Sequence, residues 1–353
     1  HLRQRFENST HNYRPLVNSV RTIDDYSEIL EEVINTISSL IEISRTRLKA
    51  NTKLIEQLRL TESEIATLVQ KLNSQAVQEF DLNNVTIGFV GAGNMAGSLI
   101  RGMIGKGTPP ANIAIADLDS TKIDQLVSEL GVIGSSNEAI AASADVIVLA
   151  VKPQVMADVC KALALNGRDA LVISVAAGIT LSHLQSWLGA DTAIVRCMPN
   201  TPALVGQGAT GLFANSNTSD EQKQIAEEML NAVGISAWVN SEADIDAVTA
   251  LSGSGPAYYF LFMEAMQEAA QELGLDEQLV SKFAIQTALG AAVLANESDD
   301  DVAELRRKVT SPGGTTERAL QNFESGGLRE LVKQSLKAAR DRSEELAAEF
   351  GAK

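Results

Sequence analysis

Residues 85–104 read VTIGFVGAGNMAGSLIRGMI. A β-branched and apolar run meets a glycine-rich turn, and the turn opens onto a stretch with helical spacing. This is the strand–turn–helix order of a nucleotide-binding βα unit. Gly91, Gly93 and Ala96 stand in a G-x-G-x-x-A arrangement. The first glycine permits a tight turn, the second lets backbone approach a pyrophosphate, and the small third residue lets helix and strand pack closely. The N–H groups at the helix start would hold the anion. A lone glycine pattern is a weak signal, but this one has its strand, its helix and its place at the head of an α/β region. It predicts dinucleotide binding.

Beyond the turn, short β-branched runs alternate with helix-length segments. Strands are predicted over 85–90, 113–116, 145–151, 170–175 and 193–197, the rhythm of a mostly parallel sheet, and runs at 209–214 and 235–239 would extend it. From about Asp244 the strands stop, and helices are predicted over 256–273, 276–296, 300–309, 315–324 and 328–350. Pro256 suits a first helical turn and Gly274 a helix C-cap.

Residues 1–82 have a different texture, with no glycine and one proline, Pro15. Leu30, Val33, Ile34, Ile37, Leu40 and Ile41 follow helical spacing, Leu58, Ile65 and Leu72 fall seven apart, and Thr61 with Glu64 forms a capping-box pattern. This segment reads as a helical or coiled-coil arm that packs on itself, on a copy of itself or on a protein partner. It opens on His1 in place of Met, as a processed, truncated or engineered start would, and a fusion of unrelated origin is one reading of it. Residues 76–84, AVQEFDLNN, read as a short linker. The expected fold is α/β: the arm at 1–82, a Rossmann-type, doubly wound, mostly parallel dinucleotide-binding domain at 83–243, and an all-helical substrate and dimerisation domain at 244–353.

An acidic residue about 20 positions after the glycine turn bonds the ribose 2′-hydroxyl in NAD-binding domains. Asp117 closes the second strand in IAIADLD, and Asp119 adds further negative charge. A carboxylate there repels a 2′-phosphate, so the residues lean towards NADH over NADPH, with nearby lysine or serine residues able to accommodate the phosphate.

Composition narrows the remaining classes. A chain of 353 residues, 45% of them hydrophobic, buries a large core in more than one domain. A formal charge of −16 argues against nucleic acid, whose binding needs clustered Lys and Arg. Only Cys160 and Cys197 are present, so no disulfide framework or metal-ligand spacing can be drawn; no metal is expected, and a reducing cytoplasm is the simplest setting. Unbroken apolar runs such as VIVLAV at 146–151 are strand-length, far short of the ~20 residues of a membrane helix, and no signal-peptide pattern opens the chain. No membrane association is expected. Asn8-Ser9-Thr10 has the glycosylation pattern without a secretory signal to give it meaning.

Six motifs converge on one family. GFVGAGNMAGSLIRGM, AVKP at 150–153, SVAAGIT at 174–180, RCMPNTPA at 196–203, LSGSGPAY at 251–258 and SPGGTT at 311–316 closely resemble pyrroline-5-carboxylate reductase, in family order and spacing, over residues 84–350. The resemblance implies reduction of the cyclic imine 1-pyrroline-5-carboxylate to proline with NADPH or NADH, the last step of proline synthesis. It also implies a homodimer interlocked through the helical domain, with dimers gathered into decamers. For the cofactor it implies that Gly91, Ala92, Gly93, Asn94 and Met95 hold the pyrophosphate, that Asp117 faces the adenosine ribose, and that Asn137 lies along the adenosine side. Val151, Lys152 and Ala177 would line the nicotinamide half. Relatives often carry small hydroxylated residues where Asp117 stands, and an Asn that contacts cofactor where Lys308 stands, so that second contact is not carried over.

For the substrate, the resemblance and the residues point to one place. A Gly-Gly turn feeding a helix start presents free N–H groups to an anion, here the ring carboxylate, which makes Ser311, Gly313, Gly314, Thr315 and Thr316 the substrate-binding candidates. An ordinary Thr N-cap is the plainer alternative. The resemblance gives Thr316 the catalytic place beside the ring nitrogen and puts the Glu242 carboxylate at the substrate pocket. Both residues are expected outside the core, so that their removal would leave folding little changed.

Hydride transfer to an imine asks for geometry and dryness more than for a strong acid. The histidines, His1, His11 and His183, are accordingly not read as catalysts, and His183 is expected exposed near a helix start. Two rival readings stand beside the reductase. A 3-hydroxyacid dehydrogenase would present a Lys poised at a carbonyl, where this chain offers SGSGPAY and SPGGTT. A non-enzymatic interaction protein would use the arm and keep the reductase body as a scaffold. Within LSGSGPAY, residues 252–255 read as a Ser/Gly turn before a core or dimer-surface helix, a wall that lets backbone approach the cofactor or the partner's SPGGTT loop. Ser252 or Ser254 would make any direct substrate contact.

Overall fold

A computed structural model of the chain describes residues 82–165 and 167–351. The expectations for the arm, its capping box, His1, His11 and most of the linker lie outside the described residues. Leu82–Asn84 forms a short 3-10 turn, after which the chain enters an α/β unit.

The strands are β1 (Ile87–Val90), β2 (Ile113–Ala116), β3 (Ile133–Gly134), β4 (Val146–Leu149), β5 (Leu171–Ser174), β6 (Ala193–Met198), β7 (Gly208–Ala214) and β8 (Gly234–Trp238). The helices of this region are α1 (Asn94–Gly105), α2 (Ser120–Leu130), α3 (Asn137–Ser143), α4 (Met156–Leu163), α5 (Leu181–Leu188) and α6 (Asp220–Asn231). One eight-stranded sheet runs β3-β2-β1-β4-β5-β6-β7-β8. It is parallel throughout except where β7 turns back antiparallel to β6. The sequence strands recur within two residues at each end. The two-residue β3, exposed and without alternation, was not foreseen.

The strands of the sheet centre, β1, β4 and β5, are buried at every position, which is why they read as unbroken apolar runs. Phe89, Val148, Val172 and Ile194 are fully enclosed. The order reverses at β1: Val90 lies opposite Ala116 of β2 on one side and Leu149 of β4 on the other. Such a reversal opens a crevice at the carboxyl ends of the strands.

Past β8 the chain is helical: α7 (Asp244–Val248), a π-helical turn (Thr249–Gly253), α8 (Gly255–Glu272), α9 (Glu277–Glu297), α10 (Val302–Lys308), α11 (Thr315–Ser325) and α12 (Leu328–Gly351). The ends follow local chemistry. Asp276 and Asp301 accept backbone N–H bonds as N-caps, Pro256 sits in the first turn of α8, and Gly274 closes α8 at φ +93° with its N–H on the Gln271 carbonyl. The Ser/Gly stretch is not a turn. Residues 244–272 run in nearly continuous helix, and the Ser254 N–H reaches the Thr249 carbonyl, five residues back, at 2.8 Å. Local Ser/Gly propensity is overridden here by packing, since a side chain at Gly253 would meet the Met198 methyl of β6 at 2.6 Å.

Few residues of α8 to α11 are buried. Gly255 and Val280 are, whereas Tyr259, Phe260, Leu261, Phe283, Ile285, Leu289 and Leu294 stand exposed. By length and composition alone α9 is apolar enough to cross a bilayer, although its apolar residues form no unbroken run. The last turns of α12 return to the sheet, where Phe350 joins the core cluster beside Leu346.

Candidate active site

The glycine turn has the geometry that its residues promised. Gly91 adopts φ +104°, its N–H bonds the Ala116 carbonyl at 2.8 Å, and a Cβ there would lie 2.6 Å from the Ala150 carbonyl oxygen, so β1 is cinched against its neighbours only with glycine. Gly93 faces open space, with no heavy atom within 4 Å of where its Cβ would be. Helix α1 starts on that glycine without a side-chain cap, and its first bond is from the Gly97 N–H to the Gly93 carbonyl. A helix start with uncapped N–H groups and room before it suits a pyrophosphate, so the residues fit a dinucleotide.

Asp117 braces this turn. Its Oδ2 accepts the Ala92 N–H at 2.8 Å and its Oδ1 the Asp119 N–H at 2.9 Å, while the Lys122 ammonium lies 3.7 Å away. Burial raises the carboxyl, but the two N–H bonds and Lys122 outweigh it and hold Asp117 below the ordinary carboxylate range. Asn137 begins α3, Val151 and Lys152 follow β4, and Ala177 follows β5. The candidate cofactor residues thus gather along one carboxyl edge of the parallel sheet, drawn from five separate strand ends.

The substrate candidates fall in two places. Glu242 precedes α7 and is half-buried; its Oε1 accepts the Leu181 N–H at 2.7 Å and the Arg196 Nη1 at 2.9 Å. Glu242 is half-buried and outside the fully buried core, yet it is the close partner of a buried guanidinium. Ser311, Thr315 and Thr316 are exposed at the start of α11. Gly313 adopts φ +70°, the Gly314 N–H bonds the Ser311 carbonyl at 3.0 Å, and Gly314 caps α11 without a side chain. Among the described residues no hydrogen bond or ion pair joins 311–316 to Glu242 or to the glycine turn.

Several participants went unread in the sequence. Arg196 and Asn200 of RCMPN tie the sheet to the helices: Asn200 accepts the Ala209 N–H at 2.9 Å and donates to the Ser252 carbonyl at 3.0 Å. The signal was an arginine inside the apolar strand AIVRCM, with Glu242 and Asp246 four apart downstream. Glu317 was also missed; its Oε2 accepts the Gly313 N–H at 2.7 Å, one of the donors expected to face the substrate anion. The Ser252 hydroxyl is spent within its own helix, on the Val248 carbonyl at 3.1 Å. Lys308 pairs with Asp300.

His183 lies near a helix start as expected, but half-buried: its Nδ1 accepts the Thr180 N–H in a capping box and its ring stacks on Trp187 at 5.7 Å. Burial lowers its pKa, Glu242 raises it and Arg196 lowers it, for a net fall. Burial pushes the Cys160 thiol up to about 12 and Cys197 in the same direction, so neither is a ready thiolate.

Comparison with known proteins supplies the family. Residues 242–346 match the family model for pyrroline-5-carboxylate reductase dimerisation, and residues 86–178 match that for coenzyme F420-dependent NADP oxidoreductases. Pyrroline-5-carboxylate reductase of Pseudomonas aeruginosa is 50% identical over 267 residues, covering 75% of this chain and 98% of that protein. The Glycine max enzyme of the same name is 39% identical over 265 residues, covering 74% and 96%. A structure of a pyrroline-5-carboxylate reductase from Coxiella burnetii superposes with a TM-score of 0.73 at 47% identity, covering 75% of this chain and 99% of that one. The Plasmodium falciparum pyrroline carboxylate reductase, solved with NADP bound, gives 0.66 at 30% identity, with the same coverage. Over its described body the chain belongs to the pyrroline-5-carboxylate reductase family.

Proposed function

We propose that this protein reduces 1-pyrroline-5-carboxylate to L-proline with a reduced nicotinamide dinucleotide, the closing step of proline biosynthesis. The observation that carries the reading is the match at 50% identity over 98% of the relative, joined by the dimerisation-model match over 242–346, which holds SPGGTT. It also favours the reductase over the hydroxyacid dehydrogenase reading.

Bound along the sheet edge, the cofactor supplies a hydride for the imine carbon. The chain does the rest. Gly91 to Met95 seat the pyrophosphate, Asp117 and Asn137 take the adenosine side, and Val151, Lys152 and Ala177 border the nicotinamide. The start of α11 holds the ring carboxylate with the N–H groups of Thr315 and Thr316, supported by Ser311, Gly313 and Gly314. Thr316 presents its hydroxyl to the ring nitrogen, which is protonated before the carbon is reduced, and so fixes the imine face. Glu242 borders the same pocket.

The bare helical faces and the dimerisation-model match at 242–346 support a homodimer in which the partner's SPGGTT loop completes each site, with dimers gathered into a higher oligomer such as a decamer. The working division is 83–243 for cofactor and 244–353 for substrate and dimerisation. The arm at 1–82 is assigned to protein contacts. A cytoplasmic setting is supported by two free, buried cysteines. Asp117 supports a lean to NADH; dissociation constants for both reduced cofactors, by nicotinamide fluorescence, test it, and a large NADPH preference would refute it.

The function is tested by oxidation of NADH and NADPH with pyrroline-5-carboxylate. Thr316→Ala removes a hydrogen bond to a charged group and should lower kcat/KM about 10- to 100-fold with an unchanged melt. Wild-type kinetics in that variant would remove its role, and turnover of hydroxyacids alone would overturn the reductase reading.

A further inference from the structure

We infer that Arg196 is a positioning residue for the reductase reaction, holding Glu242 in place and coupling it to the carboxyl-terminal helix α12. The inference rests on the reading that Glu242 borders the substrate pocket.

Arg196, on β6, is the largest wholly buried side chain among the described residues, 2% exposed. A guanidinium in such a place is costly unless its partners are arranged around it. They are arranged as a fork. Nη1 donates to Glu242 Oε1 at 2.9 Å, and Nη2 reaches Asp246 Oδ1 at 3.5 Å, one helical turn further on. The Nε finds no acceptor, so among the described residues the group is held by these two carboxylates.

Each carboxylate passes the connection on. Glu242 Oε1 also accepts the Leu181 N–H at 2.7 Å, at the start of α5 and just after the AAGIT loop that carries Ala177. Asp246 Oδ1 accepts the Ser343 hydroxyl of α12 at 2.7 Å. Helix α12 touches the same loop a second time, since a Cβ at Gly178 would lie 3.2 Å from Leu346 and from the Phe350 ring. Ser343, Asp246, Arg196, Glu242 and Leu181 therefore form one chain of polar contacts from α12 to the loop at the nicotinamide edge. Every hydrogen bond on Glu242 within the described residues falls on Oε1, which leaves Oε2 for the pocket.

The test is a double-mutant cycle on the full chain, with Arg196→Lys, Glu242→Gln and both together, and with Ser343→Ala as the remote arm. Kinetics with varied pyrroline-5-carboxylate and binding of L-proline are read beside thermal melts. If Arg196 acts through Glu242, R196K reproduces most of the E242Q loss, about 10-fold in kcat/KM, and the double variant is no worse than E242Q within about twofold. S343A should raise KM about two- to fivefold by the same route. Additive losses, or a lowered melt with unaltered kcat/KM in R196K, overturn the inference and leave the Glu242 reading standing. Wild-type kinetics in E242Q overturn that reading and the inference with it. If R196K does not fold, Asp246→Asn and S343A decide: a KM loss not additive with that of E242Q supports the coupling, and unchanged kinetics overturn it.

Discussion

The strands of the sheet and the helices that follow them bury apolar surface on opposite terms. In β1, β4 and β5 every side chain is enclosed by its own chain, and the core continues through α4 and α5 to Phe350. In α8 and α9 many long apolar side chains stay exposed, Phe283 remaining 57% exposed and Val280 alone in α9 being buried. Both regions carry many apolar residues. The difference shows that the first completes its core within one chain and the second needs a surface from outside, which in this family is a dimerisation domain.

The strongest way to break that comparison is to charge the bare face. Phe283→Glu should leave a lone chain unaffected and abolish the oligomer, because burying an unpaired carboxylate costs about 3–5 kcal/mol and a homodimer carries it twice. Light scattering after size exclusion reads the mass; an oligomer of parental mass would show that α9 is not the covered face. The converse change is Phe89→Ala in β1, expected to cost about 3–5 kcal/mol in chemical denaturation with the mass of the folded protein unchanged. A loss of oligomer at full stability would reverse the roles assigned to the two regions.

Smaller effects sharpen the picture. Ser219 and Gln222 close a capping box on α6, with Ser219 Oγ accepting the Gln222 N–H at 3.1 Å. Ser219→Ala should lower stability by about 1 kcal/mol with assembly untouched, measured in the same denaturation series. The smallest effect is on pH. The folded Asp117 carboxyl titrates below its unfolded value of about 4, so its stabilisation is present above that pH and is lost as the pH falls through the folded value. Asp117→Asn should flatten this part of the acid limb in melts taken downward from about pH 5; an unchanged limb would mean that Asp117 is not a brace.

Much of this was readable from local chemistry. The turn at Gly91 declares itself because only glycine tolerates its backbone, and the ends of α8, α9 and α10 follow Pro256, Gly274, Asp276 and Asp301, whose effects reach only a few residues. What escaped depends on partners distant in sequence. The isolated β3 has two exposed residues and no alternation to betray it. The Ser252–Gly255 stretch has the composition of a turn, yet Asn200 and Met198 pack against Ser252 and Gly253 at the end of a π-helical run that leads into α8. Glu242 carries a second attachment that its own segment does not announce, the buried Arg196, 46 residues away.

The amino-acid sequence by itself determined the fold class, the dinucleotide turn, the helical ends and the family motifs, since each rests on spacing, backbone permission or a contiguous pattern. Only the tertiary structure decided that Asp117 braces the turn, that Arg196 joins sheet to helices, and that the helical surface is left without a cover. These depend on which side chains meet across the fold and on which find no neighbour, and no local pattern records either.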